Sequence, residues 1–189
     1  MNTTQVGARR GAVAASLLLG ALLLTGCGGS LRVTTAEVDD AAAIAGQSAF
    51  HVKPVSYDFQ RDPEWEIPDS DWPTKTSEWS NAFAGECTNA DKTVYTLGPG
   101  AEASEGAIVE FTVTDMNLGT YAYFYKSPGR VHGVLTITEA KSGQVIFKGS
   151  VDSPGTTDGY DRFSYEGRIK VAHLRVARDV EWLINRKLD

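Results

Sequence analysis

One segment constrains this chain more than any other. From about Tyr165 to Arg186, Ile169, Ala172, His173, Val176, Ala177, Val180, Leu183 and Ile184 recur at i, i+3, i+4 and i+7. That spacing predicts a long amphipathic helix with one apolar stripe, which must be buried against something. The strand signals supply the surface. Ala107–Asp115 alternates, with Val109, Phe111 and Val113 on one side and Glu110, Thr112 and Thr114 on the other, as in a half-buried strand. Val131–Thr138 and Gln144–Val151 flank Glu139-Ala140-Lys141-Ser142-Gly143 as a hairpin, with Leu135, Ile137, Val145 and Phe147 expected on its inner face.

Further elements read less sharply. Phe50–Tyr57 is a first strand marked by Pro54 as an edge or bulge, since proline cannot donate to a ladder. Asp58–Pro73 is an acidic loop with Trp65 and Trp72. A helix over about Thr76–Ala90 places Trp79, Phe83, Cys87 and Ala90 on one stripe, with Thr76 or Ser77 as its cap. Thr93–Leu97 is a short strand, and Tyr121, Tyr123 and Tyr125 alternate before a Ser-Pro-Gly turn. One-sided strands with two amphipathic helices give an α/β (α+β) fold. The expected architecture is a two-layer sandwich, with a mixed or antiparallel sheet of about five strands and two helices on one face.

The first residues belong to a different physical class. Arg9 and Arg10 precede an apolar run from Ala12 to Leu24, which ends in Leu24-Thr25-Gly26-Cys27. The run is short for a membrane-spanning helix, which needs about 20 apolar residues, but has secretory signal architecture. Gly11-Ala12 departs from the bulky residues of the twin-arginine route, so the general secretory route is expected. The segment resembles the signal of bacterial lipoproteins. That resemblance implies cleavage before Cys27, lipidation of Cys27, and a chain tied to a membrane by several acyl chains, since one chain alone binds marginally. Gly28, where such proteins carry Asp for inner-membrane retention, implies the periplasmic face of an outer membrane, or the cell membrane if the source has no outer one. The resulting organisation is a signal over 1–26, a lipidated tether over 27–47 and one α/β domain over 48–189.

Charge follows from that division. The full chain is −6; loss of residues 1–26, which carry Arg9 and Arg10 and no acid, leaves 163 residues at −8. An acidic chain lacks the basic field of non-specific nucleic-acid binding. Residues 162–189 are nonetheless +3, leaving −11 on residues 27–161. Either the last helix neutralises acidic loops within the domain, or its basic face meets anionic headgroups or an acidic partner.

Motifs for chemistry fall short of their patterns. His51, His132 and His173 lie on different expected faces, so no shared metal site is expected. Asp69-Ser70-Asp71 and Asp158-Gly159-Tyr160-Asp161 lack the calcium-loop spacing and read as solvated turns. Gly46-Gln47-Ser48-Ala49-Phe50 lacks the second glycine of a nucleophile elbow. Gly98-Pro99-Gly100 lacks the rest of a dinucleotide loop. Cys87 shares the Trp79 and Phe83 stripe and reads as a buried thiol. No cofactor and no enzymatic activity are expected.

The last helix has a second side. Val171, Leu174, Arg178 and Trp182 lie opposite its core stripe. Either a loop, such as the Trp65/Trp72 segment, covers them, or they form a partner or self-association surface, since Trp and Arg are typical anchors of protein contacts. From Val131-His132-Gly133 through Lys141-Ser142-Gly143-Gln144-Val145 and the terminal helix, the chain resembles uncharacterised Gram-negative lipoproteins. Their α/β domain is similar to the amino-terminal domain of the Tol-system periplasmic protein. The resemblance implies a membrane-anchored, non-catalytic binding or scaffolding module of the cell envelope. The alternative is a small-molecule or lipid carrier, which a cavity lined by the Tyr121–Tyr125 segment would favour.

Overall fold

The computed structural model describes residues 33–65, 67–122 and 124–186. Cys27 and the expected signal lie outside the described residues, as does Tyr123 of the tyrosine segment. In chain order the elements are β1 (Val33–Asp39), α1 (Ala41–Gly46), β2 (Ala49–Val52), β3 (Ser56–Tyr57), α2 (Trp72–Cys87), β4 (Thr93–Thr96) and β5 (Ala107–Asn117). They continue with β6 (Tyr121–Ala122), β7 (Tyr125–Lys126), β8 (Arg130–Glu139), β9 (Val145–Pro154), a 3-10 turn (Asp161–Phe163) and α3 (Tyr165–Asn185).

The main sheet runs β1-β9-β8-β5-β2-β4, with β3 also paired to β5 beyond the end of β2. It is mixed: β2 is parallel to both β4 and β5, whereas β5, β8, β9 and β1 are successively antiparallel. The two-layer α/β class therefore stands, with seven strands rather than about five, and with α1 added to the two expected helices.

One face of the sheet is dry. Val109, Phe111, Val113, Leu135, Ile137 and Phe147 are buried there against α2 and α3. Phe83 of α2 meets Phe111 at a ring separation of 5.6 Å, and Phe111 meets His173 of α3 at 6.1 Å. Each such fully buried large side chain contributes about 1.5–3 kcal/mol. The other face is polar: Lys53 pairs with Glu110 at 2.8 Å, Arg130 with Asp152 at 2.9 Å, and Lys148 with Glu37 at 2.6 Å.

Several expectations are corrected. The segment read as a tether to residue 47 carries β1, which pairs with β9 from Val33↔Val151 to Asp39↔Phe147, and α1, whose Ile44 enters the core. Asp40 caps α1 by accepting from the Ala43 amide at 2.9 Å. The domain thus begins by Val33, not at 48. The first strand breaks around Pro54 into β2 and β3, where the Val55 amide donates to Ser80 Oγ instead of a ladder partner. Helix α2 starts at Trp72, with Pro73 in its first turn, so neither Thr76 nor Ser77 is its cap. A bulge between β8 and β9 turns Ile146 and Phe147 inward and leaves Val145 exposed, not on the inner face.

Candidate functional site

Helix α3 begins where Ser164 Oγ accepts from the Gly167 amide at 3.0 Å. At its far end Arg186 reaches Asp39 of β1 at 2.5 and 3.0 Å, and Asn185 Oδ1 accepts from the Asp91 amide at 2.8 Å. Along the side away from the core, Val171 and Leu174 are half-buried, while Arg178 and Trp182 are exposed. Arg178 Nε donates to Glu86 Oε1 of α2 at 2.7 Å, and the Arg186 guanidinium lies 5.6 Å from the Trp182 ring centre. The Trp65/Trp72 segment folds elsewhere, onto Phe59, Tyr57 and Trp79.

Most of the basic residues of this segment are engaged within the domain. Arg175 donates to Pro154 O at 2.9 Å, Arg178 and Arg186 are paired as above, and Arg168 is buried. Two of these contacts, Arg178 with Glu86 and Arg186 with Asp39, neutralise acids elsewhere in the domain, whereas Arg168 and Arg175 bind backbone carbonyls.

The groups that most often carry chemistry hold the core together. His173 is fully buried, with Nδ1 at 2.9 Å from Ile169 O and Nε2 at 3.0 Å from the Tyr57 hydroxyl. A carbonyl only accepts, so Nδ1 carries the proton and Nε2 accepts from Tyr57. Burial lowers the His173 pKa to about 4, the Ile169 carbonyl opposing in part, so the ring is neutral at pH 7. Burial also pushes the Tyr57 hydroxyl and the Cys87 thiol upward, the thiol further through Glu86 and Glu181. His51 stacks on Tyr95 at 5.2 Å, and His132 lies 3.6 Å from Asp152 on the polar face. Among the described residues no group of three His, Cys, Asp or Glu side chains is placed to hold a metal, and no helix is long and apolar enough to cross a membrane.

Two clefts flank the break in the first strand. One of about 640 Å³ is lined by Pro54, Val55, Ser80, Asn81, Leu97 and Pro99. The other, of about 370 Å³, lies by Lys53, Ser56, Glu102, Glu110 and Thr112. Neither contains Tyr121 or Tyr125, so these are not the tyrosine-lined cavity of the carrier alternative.

The tyrosine segment instead forms a small β6–β7 hairpin projecting from one end of the sheet. Gly119 and Gly129 close its base in left-handed conformations, at φ +69° and +70°, which L side chains rarely adopt, and a side chain at Gly119 would also strike the backbone of Ser127 and Gly129. Beside it lies the 3-10 turn. Tyr121 and Phe163 meet edge to face at 4.9 Å, Tyr160 lies 6.2 Å from Phe163, and Arg162 sits 4.5 Å over Phe163 and 5.8 Å over Tyr121. Lys126 lies 5.6 Å over Tyr121. Four aromatic residues of this tip are open to solvent, Phe124 at 96% exposed, Tyr160 at 90%, Tyr125 at 66% and Phe163 at 53%, while Tyr121 is half-buried.

Arg168 joins the two loops. Its guanidinium donates to Leu118 O at 3.0 Å and Gly119 O at 3.3 Å at the hairpin base, and to Arg162 O at 2.7 Å in the turn. Burial lowers its pKa from the usual value, with Glu166 opposing. Sequence reasoning missed this tip. The tyrosine alternation was visible, but Tyr160 and Phe163 lie nearly forty residues away, and Arg168 reads as one more surface cation.

No protein-family model matches the sequence, and no curated protein matches it. Among solved structures, the chain is similar to the PelC dodecamer from Paraburkholderia phytofirmans, at 11% identity and a TM-score of 0.47, over 78% of this chain and 95% of that one. It is also similar to protein XCC0632 from Xanthomonas campestris, described under the family model DUF330, at 11% identity and a TM-score of 0.42, over 82% and 92%. Lipoprotein GNA1162 from Neisseria meningitidis matches at 11% identity and a TM-score of 0.32, over 59% and 86%. At these identities the likeness is limited to the course of the chain.

Proposed function

We propose that this protein is a lipoprotein of the bacterial cell envelope, anchored through Cys27 at the periplasmic face of the outer membrane, and that its domain is a non-catalytic binding or scaffolding module. Where the source has a single membrane, the anchor lies in that membrane. The contact is made by Val171, Leu174, Arg178 and Trp182, with an envelope protein or a second copy.

One observation carries the contact: Trp182 is 42% exposed on a helix whose opposite side is seated in the core. Arg186 lies over its ring while held by Asp39, so the indole is presented in a defined orientation and loses little freedom on binding. The non-catalytic reading draws support from the engagement of His173, Tyr57 and Cys87 in core contacts. The anchor draws support from Leu24-Thr25-Gly26-Cys27 and the basic and apolar run before it.

Crosslinking in the native envelope, with photoreactive groups at Leu174 and Arg178, tests the contact. Adducts are expected in the native chain and depleted at least several-fold by Trp182→Ala. Unchanged adducts and an unchanged oligomeric state would remove the proposed surface. For the anchor, Cys27→Ser is expected to abolish the acyl mass and release the protein from the membrane fraction.

A further inference from the structure

We infer that the aromatic tip formed by the β6–β7 hairpin and the 160–163 turn docks onto a phospholipid bilayer surface, as a second contact beside the lipid anchor. This rests on the Cys27 reading above.

The first argument is where the described chain begins. Val33 pairs with Val151 of β9, and β9 runs on toward Pro154, which pairs with Arg130 at the start of β8. The Gly155 amide then donates to Gly129 O at 3.1 Å at the foot of the hairpin. The chain therefore enters the domain at the same end of the sheet that carries the tip. The β8–β9 turn at Ser142 lies at the other end, about 30 Å of strand away. Five residues lie between Cys27 and Val33 in sequence, so the two are at most about 22 Å apart in any conformation. An acylated Cys27 keeps this end of the domain close to the bilayer.

The second argument is what the tip presents. Tyr121, Tyr125, Tyr160, Phe124 and Phe163 are amphipathic or apolar rings of the kind that settle at headgroup level, where one end of the side chain is dry and the other wet. Lys126 and Arg162 lie over these rings and suit phosphate oxygens. Asp158 and Asp161 stand beside them, so the tip is close to neutral and its attraction is interfacial more than coulombic. The third argument is rigidity. The Arg168 hydrogen bonds to both loops and the two left-handed glycines fix the tip before any contact, so docking orders few groups.

The test uses the full-length lipidated protein in vesicles of phosphatidylethanolamine and phosphatidylglycerol. With Cys27 acylated and Cys87 buried, Phe124→Cys and Ser142→Cys each provide one reactive thiol for a nitroxide. Collision with oxygen against a water-soluble nickel chelate reads depth. The expected result is an oxygen-to-nickel ratio several-fold higher at 124 than at 142. If the protein floats with the vesicles but both labels report water, the anchor stands and the docking is wrong. If the label at 124 is shielded from both reagents, a protein contact covers the tip and the docking is again wrong. Protein that does not float defeats both.

Discussion

Two aromatic groups in this domain share their chemistry and differ in their fate. Tyr57, Phe59, Trp65, Trp72 and Trp79 gather near His173 with ring separations of about 6 Å, and Arg61 lies 5.0 Å over Trp72. Tyr121, Phe163 and Tyr160 gather at the tip, with Arg162 over two of the rings. The first group packs against the core: Trp79 is buried there, and Tyr57, Phe59, Trp65 and Trp72 lie half-buried over it. The second stands on a two-residue ladder and a single turn, and Phe124, Tyr125, Tyr160 and Phe163 there are exposed. Aromatic content therefore does not decide burial; the surface available behind the rings does.

The comparison is broken most directly at Trp79. Its ring is 1% exposed, stacks on His173 at 6.0 Å, and its Nε1 donates to Glu166 O at 3.3 Å. Trp79→Ala is expected to cost about 3–5 kcal/mol, since the cavity lies between two helices that cannot both collapse into it. Denaturant midpoints of the two proteins measure this. A loss below about 1 kcal/mol, the size of an ordinary surface change, would mean that this group is as dispensable as the tip.

The next effect concerns acid. His173 has its pKa lowered from 6.5 to about 4 by burial. The unfolded chain then binds the proton first as pH falls, so the contribution is intact above about pH 6.5 and is lost between 6.5 and about 4. The loss amounts to about 3 kcal/mol. His173→Gln should flatten the pH dependence of unfolding in that window, whatever it does to stability at pH 7. An unchanged slope would place the ring outside the folding equilibrium.

Legibility in the sequence followed the strength of one-sided burial. The stripe of α3 and the alternation of β5 and β8 were plain, because each puts large apolar residues on one side only. Strand β1 was invisible: in Val33–Asp39 only Val33 and Val38 are even half-buried, and its membership of the sheet comes from backbone pairing with β9. The bulge at Ile146 was equally hidden, because Val145-Ile146-Phe147 is an unbroken apolar run whose pattern does not say which two residues turn inward. Of the candidate contact, Trp182 and Arg178 are exposed as their helical positions imply, while Val171 and Leu174 are half-covered. The tip could not be read, since Tyr121 meets Phe163, and Arg168 binds both loops, across about forty residues of sequence that no residue pattern links.

Arg168→Met sharpens the comparison from the side of the tip. It keeps much of the buried side-chain volume but removes the donor to Leu118, Gly119 and Arg162 carbonyls. The expected cost is about 2 kcal/mol, because three part-buried acceptors lose a charged partner. Its signature is local: amide hydrogen exchange should accelerate across residues 119–129 and 158–163 well before the sheet opens. Uniform acceleration over the whole domain would instead make Arg168 a general core residue.

The smallest stability effect is expected where the aromatic content is most conspicuous. Phe124→Ser and Tyr160→Ser remove side chains that are 96% and 90% exposed, so little buried area is lost. Each should shift stability by less than about 0.5 kcal/mol, the range of surface substitutions. Thermal unfolding of the two variants measures it. A residue of this size kept open to water at so little benefit to folding is explained by what the folded protein meets, whereas Trp79 is explained by the fold itself. If Phe124→Ser instead cost as much as a core change, the tip would be packed in solution and the distinction between the two aromatic groups would fail.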